Sequence, residues 1–449
     1  GGLTPARHFQ GKDSILSGPA GGIVGAVKTS LAAGFDKIIT FDMGGTSTDV
    51  AHYKAEQKTS TGAPDSQQDS PDYERALETE VAAVRLKSPM MAIHTVAASG
   101  GSILGFDGER YQVGPASAGA FPGPACYRNG GELTVTDCNV LVGKIQPQFF
   151  PQVFGPNGDQ PIDRNIVVSK FSALAIDITA ATGDTRDAEQ VAEGLLTIAI
   201  DNMANAIKKI SVQKGYDITD YALCCFGAAG GQHACRLAES LGMKTIFVHP
   251  YAGVLSAYGM GLAERRVLKE CAVEVTLSAE AMAQLQAQMT ALAQQAVDAL
   301  NAQGTTDITS IEVLQQLHVR YAGNDATLTV RFDELAAIQQ QFEQRYLQRY
   351  GITLPNKALI VSNMTAEAIG KTGMFKRSIN NDSTNNSNTT EQNTPSASEP
   401  LTTVRLFSGN QWHNTPVIER ARLRPGQRIT GPAIILEKTC TNIVEPGWV

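Results

Sequence analysis

Two short apolar runs are joined by one polar, glycine-bearing turn, and this fixes the local chain path more tightly than anything else in the sequence. Ile38, Ile39 and Phe41 read as a buried strand, and Val50 and Ala51 as its return. Between them stand Asp42-Met43-Gly44-Gly45-Thr46-Ser47-Thr48-Asp49. Paired glycines permit positive φ and close backbone approach, so their N–H groups can point at an anion. Thr46, Ser47 and Thr48 add hydroxyl donors. Asp42 and Asp49 cannot bind phosphate directly, but carboxylates hold Mg²⁺ or its waters. An ordinary hairpin requires only the Gly-Gly. A strand ending in Asp, a Gly-Gly-Thr turn and a second Asp seven residues on favour a phosphate-binding turn. Asp42 and Asp49 are then the catalytic carboxylates, and Gly44, Gly45, Thr46 and Ser47 the cradle. No Gly-Lys-Ser/Thr follows, so this is not a Walker A loop.

The surrounding pattern is α/β. "SILSGPAGGIVGAVKTSLAAG" reads as a Gly-rich turn over 17–22 feeding a helix over about 22–33. Free N–H groups at such a helix start suit an anion, and close helix packing explains the glycines equally well. Residues 56–75 read as a surface loop or hairpin tip, and 90–142 as β-rich with many Pro and Gly turns. Val191, Leu195, Ile198, Met203, Ala206 and Ile210 carry a helical period within 187–214. A strand "YALCCFG", a Gly-rich turn and a helix over 233–241 follow, and strand, turn and helix recur in "KTIFVHPYAGVLSAYGMGLAE". Residues 278–302 and 333–350 read as helices flanking a hairpin at 316–332. Residues 378–400, "SINNDSTNNSNTTEQNTPSASEP", are low-complexity and cannot bury a core. The expected organisation is a nucleotide-binding domain over 1–275, a helix-hairpin-helix segment over 276–377, a flexible insert over 378–400 and a small β-rich module over 401–449.

Composition limits the partners. The net charge of −7 with no basic patch argues against nucleic acid. No apolar run reaches the ~20 residues of a membrane span. The seven cysteines form no Cys-x-x-Cys pair, so buried free thiols in a reducing cytosol are expected. No signal peptide is legible. The chain opens "GGLTPARHF" and ends "VEPGWV", which reads as two cuts through a longer polypeptide. A homo-oligomer is expected.

Phe226-Gly227-Ala228-Ala229-Gly230-Gly231-Gln232-His233 offers a second Gly-rich turn after a buried strand, where a flat base and ribose can lie on backbone; Gly227, Gly230 and Gly231 are its candidate contacts. The two elements together resemble the actin/hexokinase/Hsp70-like (ribonuclease H-like) ATPases. The ordered set "SGPAGGIVGA", "FDMGGTSTDV", "HTVAASGGSI", "GPASAGAFPGPACY", "LTVTDCNVLVGKI", "FGAAGGQHAC" and "GVLSAYGMGLAE" resembles, more narrowly, the hydantoinase A / 5-oxoprolinase family. That resemblance implies ATP and Mg²⁺ as cofactors, a small cyclic amide as substrate and opening of its ring, as for 5-oxoproline to glutamate in glutathione metabolism. It also implies a preceding lobe with a first Asp-x-Gly-Gly-Thr and a hydantoinase-B-like region, neither of which is in this sequence. A hydantoinase or acetone/acetophenone carboxylase-type subunit and a non-catalytic actin-like scaffold are the alternatives.

His94, Asp137 and His233 each stand in or beside a turn at a strand end. Two imidazoles and a carboxylate can bind a divalent transition metal, Zn²⁺ or Mn²⁺, and the family pattern carries these types at matching places. Capping and turn roles explain them singly. Ala98, Ser99 and Ala228 replace glycines frequent in the family and are expected to add side chains beside the cleft.

Overall fold

The computed structural model describes residues 3, 9, 11–55, 70–81, 84–304, 308–372 and 399–449. Most of the expected loop at 56–75 and of the insert at 378–400 lies outside the described residues.

Helices α1 (Gly11–Ser14) and α2 (Ser17–Ala32) precede the hairpin of β1 (Lys37–Met43) and β2 (Thr48–Lys54). A ribbon of β3 (Arg75–Val81) and β4 (Val84–Met91), the short β5 (His94–Val96) and a second ribbon of β6 (Ser102–Phe106) and β7 (Tyr111–Ser117) follow. Next come α3 (Val135–Leu141), α4 (Arg164–Thr182), α5 (Ala188–Ile210), β8 (Ala222–Phe226), α6 (Ala234–Ser240), β9 (Thr245–Phe247) and α7 (Leu255–Leu262). The central sheet has the order β5-β2-β1-β8-β9. β2 is antiparallel to β1 and to β5, while β8 runs parallel to β1 and to β9.

Strand alternation assigns each side chain to a layer. Ile39, Phe41, Met43, Val50, Leu223 and Cys225 face one core with α3, α4, α5 and α6. Ile38, Ala51, Tyr53, Cys224 and Phe226 face another with α2 and α7. Both faces of the sheet are thus covered, which is why its central strands read as continuous apolar runs.

Two expectations change, and one helix is new. Helix α2 begins at Ser17, so Gly18, Gly21 and Gly22 lie inside it rather than in an anion-holding turn. Its glycines serve close packing: a Cβ on Gly25 would lie 2.7 Å from the Leu255 carbonyl oxygen, and one on Gly259 of α7 only 1.9 Å from that of Gly21. Residues 135–141, expected as β, form α3, because Thr134 and Asp137 make a capping box at its start. Helix α4, within a stretch left without an assignment from sequence, matches a membrane span in length and mean hydropathy. It spends Val167, Phe171, Ala175 and Ile178, a helical stripe, on the main core.

β10 (Arg265–Thr276), α8 (Ala279–Asn301), β11 (Ile308–Tyr321), β12 (Leu328–Arg331), α9 (Leu335–Tyr350) and β13 (Leu359–Thr372) form a second unit with sheet order β10-β13-β11-β12. It starts at Arg265, inside the expected first domain, because β10 pairs with β13. Leu285, Met289 and Leu292 of α8 and Ile338, Phe342 and Tyr346 of α9 fill its core. The C-terminal module is a four-stranded sheet, β14 (Thr402–Ser408), β15 (Gln411–Glu419), β16 (Ala433–Leu436) and β17 (Thr441–Val444).

Candidate functional site

Asp42 lies near the end of β1, with Asp49 of β2 as its cross-strand partner, and Asp49 in turn is opposite Thr95 of β5. Residues opposite each other in an antiparallel ladder share a face. Asp42, Asp49 and Thr95 therefore form one row at the sheet end, on the side of α2 and α7. The Thr95 hydroxyl donates to Asp49, and Ser256 of α7 donates to Asp42 Oδ2 at 3.5 Å. The parallel partner of Asp42 is Phe226, so the chain leaving β8 passes directly beside the carboxylate. Gly227 is in the left-handed region, φ +83°, and a Cβ there would lie 2.5 Å from Asp42 Oδ1 and 2.4 Å from the Met43 carbonyl oxygen. Only glycine fits. The two Gly-rich segments, far apart in sequence, meet at Asp42.

Burial, then the neighbouring Asp49 charge, push the Asp42 carboxyl up to about 6, against the Ser256 hydrogen bond. Burial also raises Asp49, offset in part by Thr95. A pair of close carboxylates held partly out of water is destabilised when both ionise. A divalent cation relieves that repulsion, so the donor set fits Mg²⁺.

The turn between the strands is held from one side. Gly100 N–H donates to the Gly44 carbonyl at 3.3 Å, and Gly101 N–H to the Gly45 carbonyl at 2.8 Å. Ser99 Oγ donates to the same Gly45 oxygen at 3.1 Å. In a trans peptide the N–H points opposite the preceding C=O. With both carbonyls committed to the 99–101 loop, the N–H groups of Gly45 and Thr46 are turned away from it, and both residues are exposed. Neither Gly44 nor Gly45 has positive φ, contrary to expectation. A Cβ on Gly45 would meet nothing within 4 Å; the missing side chain leaves backbone uncovered for a ligand. Gly44 N–H is committed to the Ser47 carbonyl at 3.2 Å, closing the turn.

Other expected site residues go elsewhere. A Cβ on Gly230 would lie 2.9 Å from Cys225 Sγ, and one on Gly231 2.1 Å from Asn442 Oδ1 of β17. These two glycines make room for packing, the second against the C-terminal module. Ala98 and Ser99 are buried and brace the turn instead of lining a cleft.

The structure does not assemble His94, Asp137 and His233 into a metal centre: among the described residues no group of three or more His, Cys, Asp or Glu could hold a metal ion. Asp137 is fully buried and accepts from the backbone N–H groups of Ala125 (3.0 Å), Cys126 (2.9 Å) and Thr134 (2.8 Å) and from the Thr134 hydroxyl (3.0 Å). It clamps the 125–134 segment, and four donors already converge on its carboxylate. His94 neighbours Thr95 in β5, so alternation points it to the face opposite Asp49; burial and then Lys209 lower its pKa. His233 is buried at the start of α6, its Nε2 3.0 Å from the Asn139 amide nitrogen, and burial pushes its pKa well below the usual range. Zn²⁺ or Mn²⁺ at this trio does not fit.

Thr95 and Ser256 are not among the residues the sequence marks for the site. Their only sequence signal was a hydroxyl within the segments "HTVAASGGSI" and "GVLSAYGMGLAE".

Residues 1–269 match the Hydantoinase/oxoprolinase family model, and residues 273–449 the model of the Hydantoinase/oxoprolinase C-terminal domain. The chain is 36% identical to 5-oxoprolinase 1 of Arabidopsis thaliana, over 99% of this chain and 34% of that protein. It is similar to the crystal structure of an ATP-dependent caprolactamase from Pseudomonas jessenii, with a TM-score of 0.80 and 29% identity over 100% of this chain and 62% of that one. A nucleotide-free acetone carboxylase, at 23% identity and a TM-score of 0.65 over 97% of this chain and 60% of that one, shares the fold. The chain thus spans about a third of the length of the curated 5-oxoprolinases that it matches. With matches that run in order across nearly all of its length, the chain belongs to the hydantoinase/oxoprolinase family.

Proposed function

We propose that this chain supplies the second phosphate-binding half of an ATP-dependent, lactam-opening amidohydrolase of the 5-oxoprolinase type. The observation that carries the reading is the convergence at Asp42: its pairing with Asp49, the bared N–H groups of Gly45 and Thr46, and Gly227 packed against its carboxylate. The sheet order, with β2 alone running antiparallel to the other four strands, supports an actin/hexokinase/Hsp70-like, ribonuclease H-like architecture. The chemistry follows from amide resonance, which makes a lactam carbonyl a poor electrophile. Transfer of the γ-phosphoryl group to the lactam oxygen, with ADP leaving, makes the ring carbon electrophilic. Water then adds to that carbon and the ring C–N bond breaks, its nitrogen taking up a proton, which leaves an acyl phosphate; a second water hydrolyses the acyl phosphate to the carboxylate and free phosphate. Asp42 and Asp49 would hold Mg²⁺, which supplies neutralisation of phosphate charge. Gly45 and Thr46 N–H groups would donate to phosphate oxygens, fixing their direction without reorganisation. Ser256 and Thr95 hold the two carboxylates in place. The remaining donors and the lactam contacts are assigned, in this reading, to the parts of the relatives' length outside the chain.

The test is 5-oxoproline-dependent release of ADP and glutamate by the full-length protein. Asp42→Ala is expected to abolish turnover by at least a hundredfold while the thermal unfolding profile stays cooperative. Gly45→Ala, whose added methyl meets nothing in the fold, is expected to leave stability unchanged and to weaken use of MgATP. Near-normal turnover in Asp42→Ala would remove the phosphate assignment.

A further inference from the structure

Away from the Asp42 site, a groove of about 1460 Å³ runs between the C-terminal module and one margin of the central sheet. On one side lies β9, the outermost strand, whose outer edge has no strand neighbour among the described residues. On the other lie β16, β17 and the 420–429 segment. Arg420 latches the two sides. It donates to the Val248 carbonyl at 2.8 Å and to Glu437 at 2.8 Å. The floor is apolar, with Ile246, Leu423, Ile435 and Trp448 among its residues.

The rim is cationic. Lys244, Arg424, Arg428 and Lys438 are all exposed and all line this groove. None has an ion-pair partner among the described residues. The two acidic side chains that line it are already engaged, Glu437 by Arg420 and Glu419 by Arg422. Four uncompensated cations on one groove stand out in a chain whose net charge is −7. A single small anion would use the charge and leave the apolar floor and the strand edge without a role. Nucleic acid would use the charge too, but the acidic remainder of the chain repels a long polyanion. An extended peptide uses all three features. Its backbone pairs with the strand edge, and its side chains alternate between floor and rim with period two.

We propose that this groove binds an extended acidic segment of a partner polypeptide, laid along β9, with carboxylates toward Lys244, Arg424, Arg428 and Lys438 and apolar side chains on the floor. The segment adds a strand to the sheet at the margin away from β5. The proposal does not depend on the function assigned to the Asp42 site.

The probe is a fluorescein-labelled peptide of nine residues alternating Glu and Val, titrated with the full-length protein by fluorescence anisotropy. Binding is expected, weakening as salt rises. The Arg424→Glu/Arg428→Glu double variant is expected to lose at least tenfold in affinity, and Lys438→Glu to lose affinity in the same direction. These side chains are exposed and have no ion-pair partner among the described residues, so thermal melts should match those of the parent. A control peptide with Pro at each Val position cannot pair with a strand edge and is expected not to bind. Absence of binding to the parent chain, full affinity in the charge-reversed variants, or equal binding of the Pro peptide would each overturn the proposal. So would equal competition by a fifteen-residue oligothymidylate or by citrate, which would make the groove a generic anion site.

Discussion

Burial gives Asp42 a stability cost of the kind that clusters at functional sites. Its folded pKa of about 6 lies above the ordinary value of 3.8. Below about pH 4 the carboxyl is protonated in both states and costs nothing. As pH rises from about 4 to about 6, the unfolded chain loses this proton while the folded chain keeps it, so stability falls. Above about 6 the loss is complete, at most about 3 kcal/mol at 1.36 kcal/mol per pKa unit. Asp42→Asn is therefore expected to raise the melting temperature at about pH 8 and leave it unchanged at about pH 4, in buffer with a chelator. An equal shift at both pH values would contradict the burial of this carboxyl. Asp137 has the opposite role. Its four accepted hydrogen bonds satisfy donors that would otherwise be buried and unpaired, each costing about 1–3 kcal/mol. Asp137→Ala is expected to destabilise the chain by roughly 3 kcal/mol or more in urea unfolding. A change below about 1 kcal/mol would refute the clamp.

Helices α2 and α7 form the shelf on which the carboxylate row rests. Their backbones touch because Gly21, Gly25 and Gly259 carry no side chains, and that contact sets where Ser256 stands relative to Asp42. Filling it should act on two properties together. Gly25→Val places a branched side chain against the Leu255 carbonyl, 2.7 Å from the first added carbon. Overpacking of this kind costs about 1–3 kcal/mol. The expected outcome is a lower melting temperature together with reduced MgATP-dependent turnover in the full-length protein, measured well below the melting transition. Lowered stability with unchanged turnover would separate the helix contact from the site. The β1–β2 hairpin is supported differently. Its turn is braced by the 99–101 loop through three hydrogen bonds, so its exposed donors are held by their own backbone.

The three units are joined through buried charge. Lys28 of α2 bonds Glu264 at 3.0 Å, Arg266 of β10 bonds Glu264 at 2.8 Å and Glu367 of β13 at 3.4 Å, and Arg75 of β3 also bonds Glu367. The C-terminal module is attached by a separate pair. Lys144 donates to Glu445 at 2.6 Å and to the Gln232 carbonyl at 3.0 Å, and Ser408 donates to the same Glu445 carboxylate at 2.7 Å. Lys144 holds Glu445 below the usual carboxylate range, although burial works against it. Removing one partner leaves the other charge buried and unpaired, a loss of about 3–5 kcal/mol. Glu445→Ala is expected to release the C-terminal module, read as new proteolytic cleavage between residues 399 and 449 under native conditions. Lys144→Met with Glu445→Leu, which removes both charges, is expected to restore much of the protection. If Glu445→Ala is cleaved no faster than the parent, this pair is not what holds the module.

Much was already legible along the chain because it rests on local physics. The hairpin with its flanking carboxylates, the long helices α5, α8 and α9, the pairing of β11 with β12 and the β-rich end all follow from periodicity and turn chemistry over short windows. The order of the motifs likewise sufficed for the family. What folding alone settled depends on which residues meet across long separations. Gly227 joins the candidate site because parallel pairing of β8 with β1 brings it against Asp42, while in the same turn Gly230 packs against Cys225 and Gly231 against Asn442. Asp137 looked like a ligand by residue type, yet three backbone donors converge on it. His94 stands one residue from the carboxylate row, and strand alternation places it on the other face. Composition and spacing name the groups able to do chemistry; face, register and competing hydrogen bonds decide which of them are left available for it.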